Sequence, residues 1–169
     1  MYRSVLKIKT ESLFRDIMNE VGSIENFVLK REDQNSEYEG LLLIINKHVY
    51  RSRLAKLTPK KKGYFVAFWE KDTEGINQAY SYENSPEKLI VSVIDNERRG
   101  QFIFPKKVLL KYGILKSPKQ KGKMALRVYP SWVTELNKNA TRTQSWQLDY
   151  FIDLSDNLEI EKLKKLYFL

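Results

Sequence analysis

The sequence lacks several residue types and patterns on which common active sites depend. It contains no cysteine, which excludes disulfide bonds, thiolate zinc sites and thiol nucleophiles. Its only histidine is His48, so a metal site with two histidine ligands is excluded too. The seven glycines stand singly and form no Gly-x-Gly phosphate loop, and no Gly-x-Ser-x-Gly nucleophile motif occurs. These absences argue against an enzyme, and we expect no cofactor.

Long apolar runs are also missing. The longest aliphatic run, Leu41 to Ile45, has five residues, whereas a membrane span needs about twenty. The first seven residues hold no apolar signal core. A chain of 169 residues, 42% of them hydrophobic, has the size of one ordinary domain with a real core. We therefore expect a soluble cytoplasmic protein that forms a single domain over residues 1–169 and has no membrane partner.

Charges of the two signs are segregated along the chain. Residues 40–69 carry 7 basic and no acidic side chains, and residues 98–134 carry 10 basic and no acidic ones. The rest of the chain has 13 basic and 21 acidic side chains. Segregation of this kind builds a positive field that attracts polyanions, and it favours a nucleic acid as partner. Two alternatives stay open: the lysines only keep the protein soluble, or the two windows lie on different faces.

The pattern of apolar residues predicts a helix at each end of a strand-rich core. Thr10 suits a helix N-cap, apolar residues recur every four positions to Val21, and Gly22 follows as a stop, which predicts a helix over 10–21. The core covers residues 40–130. Its predicted strands are 41–45, 48–53, 64–69, 89–94, 101–104 and 123–129. The first of these is apolar on both faces, which predicts a covered central strand.

Two further helices are predicted, one from Pro105 to Gly113 and one over about 156–168, while 131–145 fits no single element. A helix, then strands, then a helix is not a βαβ alternation. The fold class is therefore α+β, with a mostly antiparallel, curved or barrel-like sheet and N-terminal and C-terminal helices.

The acidic residues raise the alternative of a nuclease. No Asp/Glu-x-Lys triplet of the restriction-nuclease type occurs, and we expect no metal site. A degenerate metal-dependent nuclease or other phosphodiester enzyme would use Mg²⁺ on two close acid pairs, Glu37 with Glu39 and Asp95 with Glu97. A module that grips an acidic protein partner is a third possibility.

The first basic window supplies six candidate nucleic-acid contacts. Arg51 and Arg53 project from one face of a strand, and their planar forks suit phosphate oxygens or a guanine edge. Lys56 follows on the same strand, and Lys60, Lys61 and Lys62 form a cationic loop.

The second window and the segment after it supply the other candidates. Arg98 and Arg99 precede a strand. Lys106 and Lys107 open a helix, where a cation gains nothing from the helix dipole. Further along, Arg142 and Gln144 suit guanine and adenine edges, and Trp146 either stacks on a base or belongs to the core.

These segments resemble the MepB family of small bacterial proteins over about residues 37–153. The shared strings are 38–40 (Tyr-Glu-Gly), 53–60 (Arg-Leu-Ala-Lys-Leu-Thr-Pro-Lys), Gly63, Trp69, 100–105, 125–130, Trp132, 143–147 and 150–151. The resemblance implies a genetic setting beside a multidrug-efflux pump and a MarR-type repressor, and it brings no known activity or catalytic set. The layout is also similar to the DNA-binding pseudobarrels of restriction-enzyme effector domains. We therefore expect a protein that binds nucleic acid, duplex DNA rather than RNA, without a catalytic centre.

Overall fold

The structure is a computed structural model that describes residues 8–22 and 24–169. The helices are α1 (Lys9–Val21), α2 (Lys106–Lys111), α3 (Lys138–Gln147) and α4 (Ile160–Phe168). The strands are β1 (Phe27–Arg31), β2 (Leu41–Ile45), β3 (His48–Leu57), β4 (Tyr64–Ala67), β5 (Glu70–Lys71), β6 (Asn77–Gln78), β7 (Lys88–Asp95), β8 (Arg98–Pro105), β9 (Ala125–Val128) and β10 (Phe151–Asp153). No helix in these residues has the length and apolar character to cross a membrane.

One sheet organises the molecule, with strand order β1-β2-β3-β7-β8-β10. Its pairs are antiparallel except for β3 with β7, which is parallel. The end of β3 leaves this path, because Lys56 and Leu57 pair with β4, and β4 pairs in turn with β9. The described strands do not close into a barrel. The predicted α+β class, with a mostly antiparallel sheet and helices at both ends of the fold, is confirmed.

Two apolar cores lie on opposite faces of this sheet. Successive side chains of β7 enter the two cores in turn. Ile90 packs toward α1 and α4, whereas Leu89 and Val91 pack toward β4, β9 and α2. β7 is thus covered on both faces. The same prediction for β2 was wrong, because Ile44 is 39% exposed. β2 lies next to the edge strand β1, where one face of the sheet has less covering.

Several elements differ from the prediction. Helix α1 begins at Lys9, and its first amides bond to Glu39 rather than to a side chain of its own. Helix α4 begins at Ile160, later than the predicted 156. The sequence did not indicate β1, the β5-β6 ribbon, α3 or β10. Of these, α3 matters most, because it forms one wall of the site.

Candidate nucleic-acid interface

The structure brings part of both basic windows to one cleft, which we call the basic cleft. It lies between the loop that joins β3 to β4, strand β9 and helix α3, and it has two halves. The loop half is lined by Lys60, Lys61, Lys62 and the start of α3, and has a volume of about 590 Å³. The aromatic half is lined by Tyr112, Lys123, Arg142 and Trp146, and has a volume of about 510 Å³. The residues shared by both halves are Arg127, Tyr129, Asn139 and Thr143.

The lysine loop is fastened to β9. Arg127 Nη1 donates to Thr58 Oγ1 at 2.9 Å and to the carbonyl of Lys62 at 3.2 Å. Gly63 lies so close to Tyr129 that a Cβ atom there would be 2.6 Å from its ring, and its φ of +83° also favours glycine. Lys62 Nζ then reaches across to the carbonyls of Thr134 and Glu135. The loop is therefore held at the mouth of the cleft.

Two glutamines fasten α3 to the other side. Gln144 Nε2 donates to backbone carbonyls at Tyr129, Pro130 and Val133. Gln147 is buried, accepts from the amide of Tyr129 at 2.9 Å and donates to the carbonyl of Arg127 at 3.0 Å. The predicted role of Gln144 as a reader of adenine does not fit this arrangement, because its amide donors already bind backbone carbonyls inside the protein.

The cleft is strongly positive. Among the residues that the structure describes, six cationic side chains line it, against the single carboxylate of Glu135, whose Oε2 lies 3.7 Å from Lys62 Nζ. Four of these cations are exposed and form no salt bridge with any residue the structure describes: Lys60, Lys61, Lys123 and Arg142. Such cations keep their charge available for an anionic ligand.

Arg51 and Arg53 do share one face of β3, as predicted, but that face is internal. Arg53 has 0% exposure, and its Nη1 donates to Glu32 Oε1 at 2.7 Å while its Nη2 donates to Tyr80 Oη at 2.7 Å. Arg51 Nε bonds to the same carboxylate at 3.2 Å, and its guanidinium lies over the ring of Tyr80. The predicted phosphate contact at Arg53 was wrong, since the side chain has no surface to offer.

The surroundings of Tyr80 in this cluster change the pKa of its hydroxyl. Burial raises the pKa of the Tyr80 hydroxyl, and the positive charges of Arg53 and Arg51 partly oppose that rise. The cluster therefore holds a neutral hydroxyl that accepts from Arg53 and from Gln34 Nε2. The two arginines, the Glu32 carboxylate and the Tyr80 hydroxyl bind one another inside the protein, which suits a structural role.

The other predicted contacts lie outside the cleft lining. Lys56 lies over the ring of Tyr38, and Arg98 lies over Trp132. Arg99 Nη1 lies 3.7 Å from Asp16 Oδ2 of α1, on the face of the sheet opposite the basic cleft. Lys106 Nζ donates to the carbonyl of Tyr82, and Lys107 is exposed on α2.

Four of the twelve predicted residues line the basic cleft: Lys60, Lys61, Lys62 and Arg142.

The acid pairs considered for a nuclease have other partners. Glu39 accepts from the amides of Lys9 and Thr10 at the start of α1. Asp95 Oδ2 accepts from Tyr64 Oη at 2.7 Å. Glu37 and Glu97 are exposed. Within residues 8–22 and 24–169, no group of three or more His, Asp or Glu side chains is placed to hold a metal ion.

Sequence reasoning missed Arg127, Tyr129 and Lys123 as parts of the site. A signal for two of them was present, because alternation in the predicted strand 123–129 places Arg127 and Tyr129 on the side opposite Leu126 and Val128. The structure confirms that division: Leu126 and Val128 are buried, while Arg127 and Tyr129 face the cleft. The sequence could not say that this face meets the lysine loop.

Comparisons with known proteins agree with the resemblance found in the sequence. The MepB-like family model matches residues 32–153. The crystal structure of MepB is similar to this chain at 42% sequence identity and a TM-score of 0.77, covering 89% of this chain and 100% of that one. No curated protein matches the chain.

Proposed function

We propose that this chain, which belongs to the MepB family, binds nucleic acid at the basic cleft and has no catalytic centre of its own. One observation carries the proposal: in residues 8–22 and 24–169, six cations line the cleft with a single carboxylate among them. They come from both acid-free windows and from α3. Family membership supplies no chemistry, so the proposal depends on the cleft.

The geometry of Arg127 supports a phosphate as the ligand. Thr58 and the Lys62 carbonyl fix its Nη1 group, and this orients the planar guanidinium at the centre of the cleft. A fixed arginine fork suits phosphate oxygens, and it loses less conformational freedom on binding than a mobile side chain. The walls of the cleft also focus the positive field, which raises the rate at which polyanions associate.

The start of α3 adds to this field. Asn137 caps the helix through a bond to the amide of Ala140, and no acidic residue stands in the first turn. Asn137, Asn139 and Ala140 all line the loop half. The positive end of the helix dipole therefore faces the same cleft as the lysines.

Duplex DNA remains the proposed ligand over RNA. The two halves of the cleft, of about 590 Å³ and 510 Å³, are too small to admit a duplex, so the duplex would lie along the rim. There the exposed Lys60 and Lys61 would contact successive phosphates without reading base sequence. Such contacts give affinity that changes little between DNA sequences.

The proposal is tested by changing Lys60, Lys61 and Lys62 together to glutamine. We expect this triple variant to bind a fluorescent duplex at least about tenfold more weakly at low salt, measured by anisotropy. The matched control changes Lys162, Lys164 and Lys165 on α4 to glutamine, which removes the same charge from a helix that packs on the other face of the sheet. Equal affinities for the two triple variants would overturn the assignment of the cleft.

A further inference from the structure

Three aromatic rings form a continuous series from the apolar core to the aromatic half of the cleft. Phe104 is fully buried, and its ring centroid lies 5.5 Å from that of Trp146. Trp146 stacks on Tyr112 with centroids 4.0 Å apart and planes inclined by 6°. Tyr112 ends the series and is 36% exposed. The series is therefore open at its outer end, where Tyr112 meets the cleft.

Positive charge surrounds this outer ring. Lys123, Arg127 and Arg142 line the aromatic half together with Tyr112, and no carboxylate lines it. Lys111 Nζ lies 5.4 Å from the centroid of the Tyr112 ring. An aromatic surface beside several cations matches the two parts of a nucleotide, because a base stacks on a ring while its phosphate binds the cations.

The aromatic half is large enough for a single nucleotide but not for a base-paired duplex. Its volume of about 510 Å³ lies in the range of small-molecule sites, and it is far too small for a duplex. Within a duplex, neighbouring bases cover both faces of each base, so only an unpaired base can stack on a protein ring.

We propose that the aromatic half of the basic cleft binds an unpaired nucleotide, with its base stacked on Tyr112 and its phosphate among Lys123, Arg127 and Arg142. This inference rests on the proposed function and specifies the form of nucleic acid that enters the cleft. The duplex along the rim and the unpaired nucleotide in the aromatic half use different cations, Lys60 and Lys61 for the first and Lys123 and Arg142 for the second.

The test compares three ligands of about 15 nucleotides: a thymidine single strand, a single strand of abasic sites with the same number of phosphates, and a duplex. The wild-type protein should bind the thymidine strand at least about tenfold more tightly than the abasic strand, because only the former can stack. Tyr112→Leu should abolish this difference, and Tyr112→Phe, which keeps the ring, should preserve it.

Tryptophan fluorescence gives a second readout that needs no variant. Since Trp146 stacks directly on Tyr112, the thymidine strand should quench tryptophan fluorescence more than the abasic strand does. If Tyr112→Leu fails to fold, the comparison of quenching by the two strands decides whether a base stacks on Tyr112. Equal affinity and equal quenching for the two strands would overturn the inference and leave the proposed function standing. Failure of all the ligands to bind at low salt would overturn the proposed function itself.

Discussion

Arg53 Nη1 donates to Glu32 Oε1 at 2.7 Å, and the arginine side chain has no exposure to solvent. Arg51 bonds to the same carboxylate, so one acid serves two arginines inside the protein. The strand positions that look most suited to phosphate recognition therefore stabilise the fold. The nucleic-acid binding that we propose depends instead on the basic cleft, which is built from the loop after β3, strand β9 and helix α3.

Glu32→Gln should lower the free energy of unfolding by about 3–5 kcal/mol, because it leaves two arginines without their common counter-charge. Urea denaturation measures the change. The control is Glu11→Gln in the exposed pair with Arg15, where the side chains are 38% and 61% exposed. That substitution should change stability by no more than about 0.5 kcal/mol. A similar small effect for both variants would mean that the Glu32 cluster is not a buried charge network.

The sequence could indicate the strands but not this network. Arg51 and Arg53 are correctly placed on one face of β3 by the period of two residues in a strand. The partners that bury them, Glu32 and Tyr80, lie about 20 and 30 positions away in segments with no apolar pattern that would position them. Long-range pairing of this kind depends on how loops cross the sheet, which local patterns do not encode.

Helix α3 was missed for a related physical reason. Its sequence is almost entirely polar, with Trp146 as its one large apolar residue, so it has no apolar stripe. Hydrogen bonds from Gln144 and Gln147 to backbone groups hold it in place instead. Strand β7, which has a strong apolar run, was predicted to within one residue at each end, whereas only 101–104 of β8 was predicted. Of the α3 residues that line the cleft, Arg142 was predicted as a contact, and Trp146 was left open between a base stack and the core.

Glu39→Ala should lower the free energy of unfolding by about 1–2 kcal/mol, because its carboxylate accepts from the amides of Lys9 and Thr10 at the start of α1. Thermal or urea unfolding measures this, with Glu37→Ala as a control on the neighbouring exposed acid. Affinity for DNA should not change. If Glu39→Ala instead abolished a Mg²⁺-dependent nicking of plasmid DNA without affecting stability, the nuclease alternative would replace our account.

Stability should fall as the pH rises above about 10, with Tyr64 as one cause. Burial, together with the hydrogen bond to Asp95, raises the pKa of Tyr64 to about 12. The unfolded tyrosine ionises near pH 10, so above that pH the unfolded state loses protons that the folded state keeps. By pH 11 this difference lowers the free energy of unfolding by about 1 kcal/mol.

Tyr64→Phe removes the ionisable hydroxyl and should reduce this alkaline loss by the same amount. Urea denaturation at pH 8 and pH 11 measures the free energy of unfolding of both proteins. The difference between the proteins at pH 8 gives the cost of the hydrogen bonds lost to Asp95 and Trp132, and it is subtracted from the difference at pH 11. An identical loss in the two proteins between these pH values would show that Tyr64 ionises freely in the folded state.

The salt dependence of DNA binding decides whether the cations of the basic cleft bind phosphates. If the six cations of the basic cleft neutralise about six phosphates of a DNA that offers both a duplex and an unpaired nucleotide, the logarithm of the association constant should fall with the logarithm of salt concentration at a slope near −5. The same titration on the variant lacking Lys60, Lys61 and Lys62 should give a slope shallower by about 3. A slope near zero for the wild-type protein, or slopes that do not differ between the two proteins, would contradict binding of nucleic acid at this cleft.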